Sequence, residues 1–216
     1  NPLTLIIGYV RRMKEGADQA AQARHLDIIY RKALNLEHFT RDLRQLAQLE
    51  QVQLAYAYRD VPIHELYDSL QQTFDWELID RDIQIRWHRL GGQQLKVHID
   101  LQRIEQVFVN LVSNALVHTR SSEPITIYSR FYSFANAVVI AVQDKGAGID
   151  HDDLKRLFER FYRAGLPAER SSEGTGLGLA IAKTIMDNHQ GRIGVRSQLG
   201  MGSTFYFILR TETEGL

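Results

Sequence analysis

Two short segments place polar side chains beside residues that let a ligand come close. The segment NLVSNA (110–115) has amides at Asn110 and Asn114, four residues apart. On a helix both lie on one face and could converge on a hydrated metal or a phosphate. The segment DKGAG (144–148) follows an apolar run. Its carboxylate could accept hydrogen bonds from an exocyclic amine, while the glycines allow close backbone approach. Exposed helical amides and an ordinary turn are the alternative interpretations.

Two further segments are suited to phosphate. GTGLGLAI (174–181) runs into a predicted helix, whose free N–H groups and positive dipole end favour a polyphosphate. Its spacing is neither G-x-G-x-x-G nor that of a P-loop. In LFERFYR (157–163), paired aromatics could anchor the segment while Arg160 and Arg163 reach phosphate oxygens. The alternative is an amphipathic helix end with solvated arginines. The order of all four segments along one short stretch indicates a shared site.

The elements that must position these residues follow from hydrophobic periodicity. The patterns predict a helix from about Pro62 to Ile79 with Pro62 in its first turn, a strand around 83–87, and a helix capped by Asp100 that runs to about His118. Strands are predicted at 125–132 and 137–143 with a turn between them, then helices at 152–158 and 177–189, and strands at 192–197 and 204–209. Antiparallel strand pairs with helices between them indicate an α+β two-layer sandwich.

The first 53 residues have a different pattern. Apolar residues recur every three or four positions, with an interruption at 15–18, which predicts two antiparallel helices joined by a short loop. In the second helix an a/d seam contains Leu26, Ile29, Ala33, Leu36, Leu43 and Ala47. A lone helical hairpin buries too little surface to be stable. We therefore expect it to form a four-helix dimer; packing onto its own chain is the alternative.

Composition limits the class of protein. The chain has 216 residues, 44% of them hydrophobic and 24% charged, with 26 Lys plus Arg against 26 Asp plus Glu. This profile is that of a soluble globular chain, and the balanced charge argues against general nucleic-acid binding. Without cysteine there is no disulfide, thiol nucleophile or zinc ribbon, which fits a reducing compartment. No apolar stretch reaches the ~20 residues of a membrane span.

The four segments resemble the N, G1, F and G2 boxes of sensor histidine kinases, and GMGSTF (200–205) is similar to the glycine motif that follows them. The hairpin resembles the dimerisation and histidine-phosphotransfer domain of that family. The resemblance implies a hairpin domain at 1–53 and a catalytic ATP-binding domain of the Bergerat (GHKL) ATPase type at 54–216. It further implies a homodimer, a response-regulator receiver domain as partner, and a cytoplasmic location, with any membrane attachment through upstream segments.

The resemblance also implies roles for individual residues. Asp144 would receive the adenine amino group, Asn110 would bind Mg²⁺ with Asn114 on the phosphate side, and the backbone of 174–178 would cradle the triphosphate of ATP. Arg160 and Arg163 would belong to a lid. The full set of nucleotide-binding residues implied is Asn110, Asn114, His118, Asp144, Gly146, Gly148, Arg160, Tyr162, Arg163, Gly174, Thr175, Gly176, Leu177 and Gly178.

Two departures from the family pattern stand out. Val117 and His118 occupy positions where the family often has lysine and tyrosine, so one phosphate contact is missing or is replaced by another cation. The family's acceptor box reads roughly H-E-x-x-[NT]-P-L, and this sequence opens with Asn-Pro-Leu. The acceptor histidine would then lie four residues before Asn1, and none of the eight histidines present precedes such a box. Asn1 matches the position that orients water for dephosphorylating the regulator.

The resulting hypothesis is an ATP-dependent histidine kinase that autophosphorylates a histidine and passes the phosphoryl group to a response-regulator aspartate, with possible phosphatase activity. Related ATPases have a glutamate where Asn110 stands, and an amide cannot take a proton from water. Asn110 therefore favours transfer to a protein over hydrolysis. An ATP-hydrolysing GHKL protein and a non-catalytic signalling scaffold remain the alternatives.

Overall fold

The N-terminal part of the molecule is a pair of packed helices. The computed structural model describes residues 2–16, 19–50, 56–77, 85–91, 95–119, 123–164 and 174–211. Helix α1 (Pro2–Lys14) packs against α2 (Gln19–Glu50), and the chain turns at Gly16, which adopts a φ of 100°. This confirms the predicted hairpin. His25 on α2 is half-buried against the ring of Tyr9, with the two ring centroids 5.0 Å apart.

Helix α2 presents two different faces. The predicted seam is partly open in the single chain: Leu26 and Leu43 are 55% and 44% exposed, whereas Ile29 and Leu36 are half-buried. The last turns behave differently, because Leu46 and Leu49 are buried in the main hydrophobic core of the following domain. The helix therefore belongs structurally to both parts of the chain. The predicted boundary between residues 53 and 54 lies outside the described residues.

The second part is an α/β domain built on a mixed five-stranded sheet. Its elements are β1 (Arg59–Pro62), α3 (Ile63–Glu77), β2 (Ile85–Leu90), β3 (Lys96–Ile99), α4 (Leu101–His118), β4 (Ile125–Tyr132), β5 (Ala137–Gln143), α5 (His151–Leu154), α6 (Gly178–Asn188), β6 (Arg192–Gln198) and β7 (Gly202–Arg210). The main sheet has the order β2-β4-β5-β7-β6, and β1 and β3 form a separate antiparallel pair. The predicted α+β sandwich after a helical hairpin is confirmed.

Helix α4 lies at the centre of the domain. Asp100 caps it by accepting a hydrogen bond from the Arg103 backbone N–H at 3.2 Å, as the sequence predicts. Its buried side chains recur every three or four residues and face α6, α3 and strand β5, with Phe108 and Leu111 fully buried. The helix is thus fixed by packing along one side, which also fixes the positions of the polar residues on it.

Several predicted elements have different limits in the structure. Pro62 ends strand β1, and α3 begins only at Ile63. Strand β2 pairs in parallel with β4, so not all strand pairs are antiparallel. The helix predicted at 152–158 stops at Leu154, and the backbone from Arg156 onward forms turns closed by hydrogen bonds from residue i to residue i−3. The strands 125–132 and 137–143 are confirmed. None of the helices in the described part combines the length and apolar character that crossing a membrane requires.

Candidate functional site

Asp144 is a buried acid at the end of strand β5. Only 2% of its surface is exposed, and its Oδ1 accepts hydrogen bonds from the backbone N–H groups of Gly146 at 2.8 Å and Ser203 at 3.2 Å. Burial raises the pKa of Asp144, and the two N–H donors oppose that rise. These two hydrogen bonds fix the orientation of the carboxyl group. Both end on Oδ1, so neither of them uses Oδ2.

Glycines around Asp144 allow backbone segments to touch. A Cβ on Gly146 would lie 2.5 Å from the carbonyl oxygen of His118, at the end of α4. A Cβ on Gly148, where φ is 72°, would lie 2.0 Å from the carbonyl oxygen of Gln198. No larger residue fits either position without displacement of backbone. The glycine spacing noted in the sequence therefore reflects close packing against α4 and β6 around the acid.

The Gly-rich loop 174–178 runs into the start of α6. Gly174 and Gly176 have φ values of 95° and 71°, and the hydroxyl of Thr175 accepts a hydrogen bond from the Leu177 N–H at 3.1 Å. The Asn110 Nδ2 donates to the carbonyl oxygen of Gly178 at 2.9 Å. This bond ties the first residue of α6 to the middle of α4, as expected if Asn110 and the loop share a site.

Helix α4 connects both halves of the candidate site. His118 at its end contacts Gly146 beside the acid, and Asn110 contacts the Gly-rich loop. Eight residues of helix separate these two contacts, which is roughly 12 Å. Asn114 lies between them and is half-buried, whereas His118 is exposed. A buried acid and a glycine-rich helix start therefore lie at a separation that an extended nucleotide can bridge.

The segment 157–163 lies beside the Gly-rich loop. The Phe161 N–H donates to the carbonyl oxygen of Gly176 at 2.9 Å, and a Cβ on Gly174 would lie 3.8 Å from Arg163 Nη2. Arg160 and Arg163 are both exposed. Tyr162 points elsewhere: its hydroxyl donates to Asp153 at 2.6 Å, and this bond raises the pKa of Tyr162. The prediction that Tyr162 contacts nucleotide therefore has no direct geometric support.

Some residues of the site have no strong signal in the sequence. Ser203 acts through its backbone N–H, which every residue except proline provides. Asp42, on α2, accepts a hydrogen bond from the Thr175 hydroxyl at 2.6 Å, across 133 positions of sequence. Neither local periodicity nor motif spacing could place Asp42 at this loop. Asn1 lies outside the described residues, so its role stays a prediction.

The residues present fit a nucleotide and a magnesium ion. Close backbone contacts at Gly146 and Gly148 shape the space beside Asp144, and two glycines of left-handed conformation shape the loop before α6. The described residues contain no cluster of three acidic or histidine side chains that could hold a metal alone. Mg²⁺ needs no such cluster when substrate phosphates and water supply most of its ligands, and the side chain of Asn110 offers an oxygen atom, the kind of donor that this ion prefers.

Comparison with known proteins agrees with this geometry. Residues 99–213, more than half of the chain, match the family of histidine kinase-, DNA gyrase B-, and HSP90-like ATPases. The chain belongs to this family. The matched region of this ATPase family begins at the last residue of β3 and includes all four segments of the candidate site.

Relatives of this ATPase-family member include sensor kinases. The chain is 27% identical over 215 residues to the autoinducer 2 sensor kinase/phosphatase LuxQ of Vibrio vulnificus, covering 98% of the chain and 25% of LuxQ. It spans 25% to 35% of the length of the curated relatives that it matches first. The resemblance to sensor histidine kinases is thereby confirmed.

Two solved structures share the fold over nearly the whole chain. The histidine kinase AdeS of Acinetobacter baumannii superposes with a TM-score of 0.71 at 24% identity, covering 99% of this chain and 96% of AdeS. The histidine kinase ThkA, solved in complex with the response regulator protein TrrA, gives a TM-score of 0.78 at 23% identity, covering 99% of this chain and 58% of ThkA. A helical hairpin followed by an ATPase-type domain is therefore common to all three proteins.

Proposed function

We propose that this chain is the catalytic core of a homodimeric sensor histidine kinase that uses ATP and Mg²⁺. The observation that carries the proposal is the arrangement along α4, which joins the buried acid Asp144 to the start of α6 through contacts at His118 and Asn110. This arrangement suits a nucleoside triphosphate. The acid at one end can accept a hydrogen bond from a base, and the free N–H groups at the start of the helix can bind phosphates at the other end.

Each implied residue has a role in this proposal. Asp144 accepts a hydrogen bond from the adenine amino group through Oδ2, and Gly146 and Gly148 bring backbone close to the base. The backbone of residues 174–178 faces the phosphates, with Arg163 beside Gly174. Asn110 holds Mg²⁺ with Asn114 on the phosphate side, and His118, Arg160 and the backbone of Tyr162 border the site. A bound Mg²⁺ neutralises charge on the phosphate oxygens.

The reaction we propose is phosphoryl transfer to a histidine. A ring nitrogen of the acceptor attacks the γ-phosphorus, the bond from that phosphorus to the bridging oxygen breaks, and ADP leaves. An aspartate of a response regulator then takes the phosphoryl group from the histidine. The protein contributes positioning and charge neutralisation rather than covalent chemistry. The amide of Asn110 cannot activate water as a base, which supports transfer to a protein acceptor over hydrolysis.

The hairpin supports the dimer and partner proposals. Its seam residues Leu26 and Leu43 are open in the single chain, although isolated helical hairpins need a partner to bury such a face. A second copy would cover the seam and form a four-helix bundle at residues 1–53. The acceptor histidine lies upstream of Asn1 in this proposal, and Asn1 orients water when the regulator is dephosphorylated.

The test is autophosphorylation of a chain that includes the residues upstream of Asn1. Incubation with γ-labelled ATP is expected to give an acid-labile phosphoprotein whose label passes to a receiver domain. Asp144→Ala is expected to abolish both ATP binding in isothermal titration and labelling, whereas Asp187→Ala, at an exposed acid of α6, retains both. Rapid release of free phosphate without phosphoprotein would indicate a hydrolytic ATPase, and absence of ATP binding would indicate a signalling scaffold.

A further inference from the structure

The geometry points to Asp42 as a residue of the hairpin that competes with nucleotide phosphates for the Gly-rich loop. This inference rests on the proposed function, since it assumes that phosphates bind at residues 174–178. The carboxylate of Asp42 accepts a hydrogen bond from the Thr175 hydroxyl at 2.6 Å. The same hydroxyl accepts from the Leu177 N–H at 3.1 Å, immediately before α6. The hairpin thus contributes an anion to the end of α6 where phosphates are expected.

The Asp42 contact belongs to a wider interface between α2 and the ATPase domain. Phe39 lies one turn earlier, with its ring centroid 6.4 Å from that of Phe161, and Leu46 and Leu49 are buried one and two turns later. The spacing of three, four and three residues places these four side chains on one face of α2. Leu43 of the predicted seam is four residues after Phe39 and three before Leu46, so the seam borders this face of α2.

Phe161 couples this interface to the loop through its backbone. It adopts a φ of 62°, a conformation that non-glycine residues seldom occupy, and its N–H donates to the carbonyl oxygen of Gly176. A Cβ on Gly176 would lie 2.9 Å from the Phe161 carbonyl carbon. The loop is therefore held from two sides by residues that contact α2, through Thr175 on one side and Phe161 on the other.

The electrostatic consequence follows from the position of the charge. The N-terminus of a helix stabilises a nearby anion, and Asp42 already supplies one through Thr175. A polyphosphate bound to the same loop brings like charge close to this carboxylate, which disfavours simultaneous occupancy. Nucleotide binding should therefore weaken the contact between α2 and the loop. Conversely, the hairpin in its present position should lower the affinity of the loop for phosphate-bearing ligands.

The first experiment measures nucleotide affinity in proteins that differ only in this charge. Asp42→Asn removes the charge but retains an oxygen that can accept from Thr175. We expect the Asp42→Asn protein to bind ATP about three- to tenfold more tightly than the unsubstituted protein does. The gain in affinity should be smaller for ADP, which carries less charge, and the affinity for adenosine should not change. The matched control is Asp27→Asn, because Asp27 is an exposed acid of α2 that pairs with Arg31. Unchanged ATP affinity in Asp42→Asn, or an equal gain for adenosine, would overturn the inference.

The second experiment measures the distance between α2 and the ATPase domain and does not depend on phosphoryl transfer. The chain lacks cysteine, so Arg24→Cys on α2 and Arg192→Cys on β6, both at exposed positions, can carry a pair of spin labels. Asp42→Ala, which removes the acceptor, should broaden or lengthen the distance distribution between the labels without ligand, and ATP should do the same to the protein with Asp42 intact. An unchanged distribution in Asp42→Ala would refute the contact. If ATP fails to bind but Asp42→Ala still shifts the distribution, the proposed function fails instead.

Discussion

Replacing Asp144 with asparagine should change which base the site binds without lowering the stability of the fold. Oδ1 accepts from two backbone N–H groups, those of Gly146 and Ser203. An asparagine must keep its oxygen at that position, because its NH₂ group would meet two donors. The NH₂ group is then forced into the Oδ2 position and presents a donor where the carboxylate presents an acceptor. The substitution should therefore reverse the hydrogen-bonding character of this single position.

The expected effect on binding is large and selective. Losing one charge-assisted hydrogen bond to the adenine amino group should cost about 1.5–3 kcal/mol. This corresponds to roughly 10- to 150-fold weaker ATP binding in isothermal titration. Inosine triphosphate carries an oxygen in place of that amino group and can accept from the new NH₂ group. D144N should therefore bind inosine triphosphate at least as well as it binds ATP, the opposite of the preference with Asp144.

Stability provides the internal control for D144N. Burial raises the pKa of Asp144 above its ordinary value of 3.8. The stabilising contribution of this group is fully present below pH 3.8 and is lost as the pH rises through the raised pKa. An asparagine avoids the cost of burying a charge, so D144N should unfold at the same temperature or higher at neutral pH. If D144N bound ATP and inosine triphosphate with equally reduced affinity, or bound ATP with unchanged affinity, the assignment of the base site would be refuted.

Three other predictions test the fold. Gly148→Ala should lower the free energy of unfolding by about 3 kcal/mol and the thermal midpoint by roughly 6–12 °C, because its Cβ would lie 2.0 Å from a backbone oxygen. The control is Gly200→Ala, at a positive φ with open space around it, which should lower the free energy of unfolding by only about 1 kcal/mol. Equal losses in the two variants would contradict the packing argument. Burial lowers the pKa of His189 below 6.5, so the stabilising contribution of this side chain should be present above pH 6.5 and lost as the pH falls through the lowered pKa. The measurement is the free energy of unfolding by urea at a series of pH values, which should vary less with pH in His189→Gln. Leu26→Glu combined with Leu43→Glu should convert a dimer to a monomer in light scattering, and a monomeric unsubstituted chain would exclude the dimer.

Local patterns account for much of the fold. Strands β4 and β5 follow from their alternating or continuously apolar residues and the turn between them, and Asp100 marks the start of α4 through its capping side chain. These signals act over a few residues and need no knowledge of the rest of the chain. The short ladder between β1 and β3 differs, because four-residue strands carry little periodicity and depend on pairing across distant sequence.

The candidate site shows the same division. Asp144, Asn110 and the Gly-rich loop could be identified because they lie in short segments whose order along the chain resembles that of sensor histidine kinases. Asp42 could not, since a charged residue on a long helix is ordinarily solvated and its contact depends on how α2 packs against α6. The left-handed backbone of Phe161 is equally inaccessible from sequence, because aromatic residues rarely adopt it and tertiary contacts impose it here.

The acid of the site is oriented by main-chain atoms instead of neighbouring side chains. Peptide N–H groups are common to nearly all residue types, so the hydrogen bond from position 203 to Asp144 does not use the serine side chain, which is buried and pairs with the hydroxyl of Ser197. At position 146 the requirement is reversed, because the absence of a side chain is what matters. The orientation of the Asp144 carboxyl group therefore depends on the path of the main chain, which the glycine at position 146 permits.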